Sequence, residues 1–321
     1  MVSDRGRAFY YRVPEVSPGA ADNGRMRGVV LFVVLAGLLY AGWVVVGLPS
    51  RAEVRALART NPGVTSLMRQ REEEARRAHR PYRRVQAWVP ISSVSRHLIH
   101  AVIAAEDQKF FGHEGVDWEA IKKSVETDRA RGGFVRGGST ITQQLAKNLF
   151  FTTEKSITRK LRELVVARWL EADLSKKRIL ELYLNVIEWG DGIYGAQAAA
   201  RRYYAKPVSD LEPGEAAGLA AMIPNPRRIN PLVDPRRHAR AQRRVLWLMA
   251  SAGYIERDAA GLGTEPPPPE PVEDAEEDEA PPPSPATAPA SATVPSAATP
   301  VPTPEPTPPP TPEPEATPGV R

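Results

Sequence analysis

One stretch of the sequence places a carboxyl group where acid–base chemistry is favoured. In residues 101–117, AVIAAEDQKFFGHEGVD, Glu106 and Asp107 follow an apolar helix end, and Phe110 and His113 lie just beyond. A carboxyl group close to apolar and aromatic side chains tends to have a raised pKa, which suits a general acid or base. An exposed pair at a helix end, next to a core phenylalanine, explains the same residues equally well, so this segment alone leaves both interpretations open.

A second segment, 137–149 with the sequence GGSTITQQLAKNL, has a polar stripe. Ser139, Gln143 and Lys147 are spaced i, i+4, i+8 and share one face of a helix, while apolar residues with the same spacing face inward. A hydroxyl, an amide and an ammonium group suit a sugar and a phosphate, and the helix N-terminus offers free N–H groups to an anion. The alternative, a solvated face, is weakened because the stripe contains no carboxylate.

A third segment, 155–171 with the sequence KSITRKLRELVVARWLE, repeats this spacing with charged residues. Lys155, Arg159 and Glu163 share a helix face, and two cations beside a carboxylate suit the neutralisation of a pyrophosphate and the positioning of an acid or base. A surface Arg–Glu pair worth only ~0.3–0.5 kcal/mol is the alternative. That alternative is favoured for Lys155 alone, and is weaker for Glu163 because apolar residues follow it directly.

The remaining motifs indicate structure more than chemistry. In 180–195, LELYLNVIEWGDGIYG, Asn185 lies among apolar and aromatic residues, which predicts a structural hydrogen bond. The small residues of 211–231 favour close helix packing. The histidines show no metal-ligand spacing, and the chain contains no cysteine, which excludes disulfides and thiolate chemistry.

The charge of the chain is distributed unevenly. The net charge is +5, but the segment from residue 264 onward carries −10 and the remainder +15. A body this basic prefers an anionic partner, which is a nucleic acid, a membrane surface or a phosphorylated substrate. The segment 264–321 holds 21 of the 33 prolines and few apolar residues, so it is predicted to be disordered.

Residues 28–48 have no charge across 21 positions. As a helix they span ~31 Å, about the thickness of one hydrocarbon core, which predicts a retained transmembrane anchor. A cleaved signal peptide is the alternative, but its apolar region is shorter. Arginines flank the span on both sides, so charge alone does not decide the topology.

The periodicity elsewhere is helical, and the predicted fold class is mainly α. Residues 1–27 precede the anchor, 49–91 form a juxtamembrane stalk with an extended lead-in at 85–91, and one domain occupies 92–254. Helices are expected at 95–105, 140–151, 157–174, 176–187, 213–222 and 237–252.

Together these segments resemble the glycosyltransferase domain that class A penicillin-binding proteins share with monofunctional peptidoglycan glycosyltransferases, the family 51 glycosyltransferases. The resemblance covers about 99–231 through EDxxFxxHxGxD, GGSTITQQLxKN, RKxxE, YLN and AAxxYY. It implies a lysozyme-like fold, with lipid II as the substrate and β-1,4-linked glycan strands as the product. The resemblance also implies that the anomeric carbon of the donor is inverted and that undecaprenyl pyrophosphate is released.

The resemblance also assigns roles to residues. Glu106 corresponds to the general base that deprotonates the acceptor hydroxyl, and Glu163 to the second carboxylate, which assists at the donor pyrophosphate. Further motif positions are expected to contact substrate: Asp107, Phe110, His113, Ser139, Thr140, Gln143, Gln144, Lys147, Asn148, Lys155, Arg159, Lys160 and Asn185. No cofactor is certain; the family admits a divalent cation, Mg²⁺ or Mn²⁺, but no ligand cluster in this sequence demonstrates one.

The implied setting is the cytoplasmic membrane, with the N-terminus inside and the domain on the extracytoplasmic side. The sequence contains no SxxK and no KTG motif of a penicillin-binding domain, so a separate transpeptidase partner is expected. Nucleic-acid binding is disfavoured because no such motif is present. A lytic lysozyme-like enzyme and a non-catalytic glycan-binding scaffold remain alternatives to the glycosyltransferase. The size of the glycan product distinguishes these three functions.

Overall fold

The computed structural model describes residues 21–122, 138–154, 156–257, 261–263 and 267. Lys155, most of the segment before the anchor and, apart from residue 267, the predicted disordered tail 264–321 lie outside the described residues. Helices dominate the described part and its strands are short, so the predicted mainly α class is confirmed.

The first helix, α1 (Ala21–Val46), covers all but the last two residues of the predicted anchor. Residues 25–46 form a helix that is long and apolar enough to cross a membrane, and its most apolar part is not buried inside the protein. Arg162 donates hydrogen bonds to the carbonyl oxygens of Trp43 and Val44, at 2.7 and 3.0 Å. Because the last carbonyl groups of a helix lack partners within the helix, this arginine fixes the end of α1 to the domain.

The predicted juxtamembrane stalk, 49–91, packs in part on the domain. It contains α2 (Arg51–Ala56) and α3 (Ser66–Arg77). Leu67 and Met68 of α3 are buried and cluster with Tyr194 of the domain. The many arginines and glutamates of α3 obscure its apolar face in the sequence, although that face packs as in any amphipathic helix.

Seven further helices of the described part build the domain. They are α4 (Arg96–Glu106), α5 (Ile141–Phe150), α6 (Ile157–Asp173), α7 (Lys176–Val186), α8 (Ala196–Tyr204), α9 (Pro213–Met222) and α10 (Pro235–Ser251). Helix α4 packs against α9 and α10, whereas α5 packs against α6 and α7. A single apolar core connects the two groups.

Polar caps determine where the helices with the candidate site residues begin. Thr140, Ser156 and Ser175 each accept a hydrogen bond from a backbone N–H group in the first turn of α5, α6 and α7. Such caps satisfy donors that the helix itself leaves free. The predicted helix bounds agree with the structure within two residues, because these caps are visible in the sequence.

A small sheet links the lead-in of the domain to the loop after α7. Its strands are β1 (Val85–Gln86), β2 (Glu188–Gly190) and β3 (Ile193–Tyr194), in the order β1-β3-β2. Strand β1 is parallel to β3, and β2 is antiparallel to it. The turn between β2 and β3 needs glycine at Gly192, which has a φ of +74° and leaves no room for a Cβ atom beside the carbonyl oxygen of Arg83. The predicted lead-in strand is confined to β1.

We expect Met68→Ala to lower the free energy of unfolding by ~2–5 kcal/mol, because the side chain of Met68 is fully buried on the inner face of α3. Arg76→Ala on the exposed side of the same helix is the matched control, and its effect should stay within ~0.5 kcal/mol. Denaturant unfolding followed by circular dichroism measures both. Equal, small effects would show that α3 is a solvated linker.

Candidate active site

Glu106 is the last residue of α4 and is held from the neighbouring helix. Its carboxylate accepts a hydrogen bond from Nε2 of Gln144 at 2.6 Å. The same amide accepts a hydrogen bond from the hydroxyl group of Tyr183 at 2.8 Å. Because Tyr183 is fully buried and donates to the amide oxygen, the amide NH₂ group must face Glu106. The carboxylate therefore has a defined position at the end of α4.

The surroundings of Glu106 shift its acidity. Burial of the carboxyl group raises the pKa of Glu106, and the charge of Asp107 adds to this. The Gln144 hydrogen bond and the positive charge of Lys147 oppose the shift. Desolvation prevails, so Glu106 holds its proton to a higher pH than an ordinary glutamate.

Asp107 and His113 fix the loop that follows α4. The Asp107 carboxylate accepts a hydrogen bond from the backbone N–H of Ile141 at 3.0 Å, and lies 2.9 Å from Nε2 of His113. Nδ1 of His113 accepts a hydrogen bond from the backbone N–H of Gly115, so Nε2 carries the proton and donates to Asp107. Burial raises the pKa of Asp107, while His113 opposes the shift. This pair ties the loop to the start of α5.

Two further predicted residues belong to the same framework. Phe110 is fully buried and lies edge-on to His113. Thr140 caps α5 and donates its hydroxyl hydrogen to the carbonyl oxygen of Gly115 at 2.7 Å. In the structure these side chains support the loop and the helix start.

The charged residues of α6 face the polar stripe of α5. Nζ of Lys160 donates to the hydroxyl group of Ser139 at 2.8 Å and to Oε1 of Gln143 at 2.9 Å. It also lies 3.5 Å from Glu163, whose other carboxylate oxygen is bound by Arg159. The Glu163 side chain is only 4% exposed. The pair predicted as a surface Arg–Glu contact in the alternative interpretation is thus largely buried.

Lys147 lies near both carboxylates. Burial lowers its pKa, the negative charges of Glu163 and Glu106 raise it, and the cations Arg159 and Lys160 lower it further. Within the described residues, no hydrogen bond contributes to this balance. In addition, Nε of Arg159 is buried and has no hydrogen-bond partner in the described part of the chain. An anion between α5 and α6 would satisfy both groups.

The two predicted asparagines bond to the protein itself. Asn148 donates to the carbonyl oxygen of Gln144 at 2.7 Å. Asn185 is fully buried and bonds to both the N–H and the carbonyl group of Val89, which joins α7 to the lead-in. Lys155 lies outside the described residues.

Sequence reasoning missed three residues near this site. Tyr183 orients Gln144, but a tyrosine in an apolar helix is typical of core packing. Arg71 and Glu188 are hydrogen-bonded at 2.9 Å and line a cavity of about 190 Å³ next to Lys147. Arg71 lies 117 positions from Glu188, so no local pattern could indicate the pair.

The described residues do not suit a divalent cation. They contain no group of three or more His, Asp or Glu side chains that could hold a metal ion. The carboxylates Glu106 and Glu163 also share their surroundings with the cations Lys147 and Arg159, which repel Mg²⁺ or Mn²⁺.

We expect Gln144→Ala to raise the pKa of Glu106 further, because the substitution removes a hydrogen bond that stabilises the charged carboxylate. An NMR titration of ¹³C-labelled glutamate carboxyl groups measures the shift. Gln242→Ala is the control, since Gln242 bonds to the carbonyl oxygen of Gly214. An unchanged or lowered pKa of Glu106 in Gln144→Ala would show that Gln144 does not stabilise the charged form of Glu106.

Comparison with known proteins identifies the family. The sequence profile described as Transglycosylase matches residues 72–250, more than half of the chain. A biosynthetic peptidoglycan transglycosylase of Azoarcus sp. (strain BH72) is 50% identical over 190 residues, which are 58% of this chain and 82% of that protein. A biosynthetic peptidoglycan transglycosylase of Methylobacillus flagellatus is 46% identical over 231 residues, which are 72% of this chain and 96% of that protein.

A further protein of the same name, from Aromatoleum aromaticum, is 45% identical over 215 residues, 67% of this chain and 91% of that protein. The resemblance drawn from the five motifs is confirmed by these matches. The profile begins at residue 72, within α3, which agrees with the packing of that helix on the domain. The chain therefore belongs to the transglycosylase family.

Proposed function

We propose that this protein polymerises lipid II, a lipid-linked disaccharide pyrophosphate, into β-1,4-linked glycan strands and releases undecaprenyl pyrophosphate. One observation carries the proposal: the half-buried Glu106 and the buried Glu163 both lie close enough to Lys147 for their charges to raise its pKa, among further cations on α6. Glycosyl transfer to a hydroxyl group requires a base at the acceptor and positive charge at a departing pyrophosphate, and this arrangement supplies both.

Glu106 is the proposed base. Its carboxylate accepts the proton of the acceptor's 4-hydroxyl group as the hydroxyl oxygen attacks the anomeric carbon of the donor. The bond from that carbon to the pyrophosphate oxygen breaks, and the electron pair leaves with the pyrophosphate. A single displacement of this kind inverts the anomeric carbon. A raised pKa makes Glu106 a stronger base at neutral pH than an ordinary carboxylate.

The cations stabilise the leaving group. Negative charge grows on the pyrophosphate as it departs, so fixed positive charges stabilise the transition state more than the bound substrate. Lys147 and the free Nε of Arg159 are proposed to contact the phosphates, together with Ser139 and Lys160. Glu163 binds Arg159 and Lys160 and thereby positions them. Lys155 is proposed to contribute a further cation.

A lytic enzyme and a non-catalytic scaffold are the competing functions. A lytic enzyme cleaves a glycosidic bond between sugars and releases no pyrophosphate, so it gains nothing from cations at this place. A scaffold has no need of a carboxyl group with a raised pKa, which is costly to bury. The comparison proteins named biosynthetic peptidoglycan transglycosylases also favour polymerisation.

We expect the purified full-length protein in detergent to convert radiolabelled lipid II into long glycans that a muramidase digests to disaccharides. Gel electrophoresis of the products measures chain length, and thin-layer chromatography detects undecaprenyl pyrophosphate. The digest should contain only uncross-linked fragments, since cross-linking is assigned to a separate transpeptidase. Shortening of added glycan strands would indicate a lytic enzyme, and unchanged lipid II and glycan would indicate a scaffold.

The domain is proposed to lie on the extracytoplasmic side, at the surface of the cytoplasmic membrane. The hydrogen bonds from Arg162 to Trp43 and Val44 keep α6, and therefore Glu163, close to the end of the anchor. This position suits a substrate with a lipid tail, because the pyrophosphate of such a substrate lies at the membrane surface.

The absence of cysteine makes this topology testable. A single cysteine introduced at the exposed Ser93 should react with a membrane-impermeant maleimide in intact cells whose outer permeability barrier has been opened. Ser3→Cys should react only after the cytoplasmic membrane is lysed. The reverse pattern would place the domain in the cytoplasm.

A further inference from the structure

The last helix of the domain, α10, has an exposed face that is basic along most of its length. Three arginines and a tryptophan recur at i, i+4, i+7 and i+11, the spacing of one helix face: Arg236, Arg240, Arg243 and Trp247. The three arginines and a fourth beside them, Arg244, are exposed. The opposite face of the helix packs on α4 and α9. The basic face therefore points away from the core.

These arginines lack the carboxylates that usually accompany such a row. Helix α10 contains no acidic residue. None of the four exposed arginines forms a salt bridge with the described residues. Like charges at i, i+4, such as Arg236 and Arg240, destabilise a helix. The face is therefore suited to a partner with negative charge.

Trp247 narrows the chemistry of that partner. It is partly buried, and its Nε1 atom is buried without a hydrogen-bond partner among the described residues. A buried N–H donor of this kind indicates an acceptor outside those residues. From Arg236 to Trp247 the face extends ~16 Å, more than a single phosphate or carboxylate group covers. An acidic chain with apolar side chains at one end matches both the arginines and the indole ring.

The protein itself contains a segment of this chemistry. Residues 270–279, EPVEDAEEDE, carry seven carboxylates and no cation. Pro271 and Val272 place apolar groups near the start of the segment, and most of the carboxylates follow them. The order of apolar and charged groups is therefore the reverse of the order along α10, where the arginines precede Trp247.

The spacing of the charges also agrees. In an extended chain every second side chain lies on the same side, so carboxylates recur every ~6.6 Å at Asp274, Glu276 and Asp278. Along α10 the guanidinium groups recur every ~6 Å at Arg236, Arg240 and Arg244. An extended acidic segment antiparallel to the helix can therefore pair with successive arginines.

The segment lies within reach of this face. After α10 the backbone N–H of Tyr254 donates to the carbonyl oxygen of Met249 at 2.9 Å, and that of Leu262 to the carbonyl oxygen of Arg257 at 3.2 Å. These bonds keep the described chain close to the C-terminal end of the helix. From residue 263 to residue 270 the chain reaches ~23–25 Å, and α10 with its 17 residues is ~25 Å long.

We propose that the acidic segment 270–279 docks antiparallel along the exposed face of α10, with Pro271 and Val272 against Trp247 and the carboxylates paired with the arginines. Exposed ion pairs are individually weak and are screened by salt. The covalent connection offsets this weakness, because it gives the segment a high effective concentration at the helix. Docking is therefore reversible and salt-dependent, and it shields the basic face from other polyanions.

The distance between two nitroxide labels tests the docking. Because the chain contains no cysteine, Leu232→Cys and Ala280→Cys direct the labels to the exposed loop before α10 and to the end of the segment. Pulsed EPR of the full-length protein in detergent should give one narrow distance peak at low salt. At ~1 M salt, where the Debye length is ~3 Å, the narrow peak should be lost and a broad distribution should replace it.

Charge reversal distinguishes docking from an indirect structural effect. Arg240→Glu combined with Arg244→Glu should abolish the narrow peak, and Glu276→Lys combined with Asp278→Lys should do the same. All four substitutions together should restore it, because the pairs form again with opposite sign. The substitutions in the segment lie outside the domain, so they decide the question if the arginine variant does not fold.

Arg201→Glu combined with Arg202→Glu is the matched control. It makes the same change of charge at two exposed arginines of α8 and should keep the narrow peak. An excess of unlabelled protein should also leave the peak unchanged. Its loss on dilution would show that the face binds a second copy of the chain, which overturns docking within one chain.

A broad distribution in the wild type at low salt would overturn the proposal. A narrow peak that survives both charge reversals would overturn it as well. The measurement needs no substrate, so its outcome is independent of whether the protein polymerises glycan strands.

Discussion

A charge removed from water costs several kcal/mol unless another charge or a hydrogen bond offsets it, and the site is built around this constraint at Lys147. The ammonium group is stabilised by Glu163 and Glu106 and destabilised by Arg159 and Lys160. Because these charges belong to three helices, their balance holds only while α4, α5 and α6 keep their positions. The framework of the domain can be understood as the means of keeping them there.

Several polar side chains hold these helices in place through hydrogen bonds. Asp107 joins the end of α4 to the start of α5 through the backbone N–H of Ile141, and so sets the distance between Glu106 and the polar stripe. Tyr183 holds Gln144 from the opposite side. At the other end, Arg162 connects α6 to the anchor. The proposed acid–base chemistry, the proposed stabilisation of the leaving group and the proposed attachment to the membrane therefore depend on the same few helix contacts.

Much of this was predictable from the sequence, and the reasons are physical. Helix bounds followed from caps such as Thr140 and from apolar spacing, both of which are local. The polar stripe of α5 was also local. Lys160, which bonds to that stripe from α6, lies outside the second stripe of Lys155, Arg159 and Glu163, so the facing of the two helices did not follow from spacing. Residues that act across the chain were not predictable: Arg71 lies in a charge-rich helix and meets Glu188 far along the sequence. The strands are only two or three residues long, too short to show alternation.

Glu106 is proposed to remove the proton of the acceptor's hydroxyl group. The most direct test compares the rate of glycan formation from lipid II by the wild type and by Glu106→Gln, whose amide oxygen can still accept the hydrogen bond from Gln144. Glu114→Gln, at an exposed glutamate paired with Arg168, is the control. We expect a loss of ~10²–10⁴-fold for Glu106→Gln, with an unchanged melting temperature and a control that behaves like the wild type. Polymerisation by Glu106→Gln at the wild-type rate would show that Glu106 is not the base.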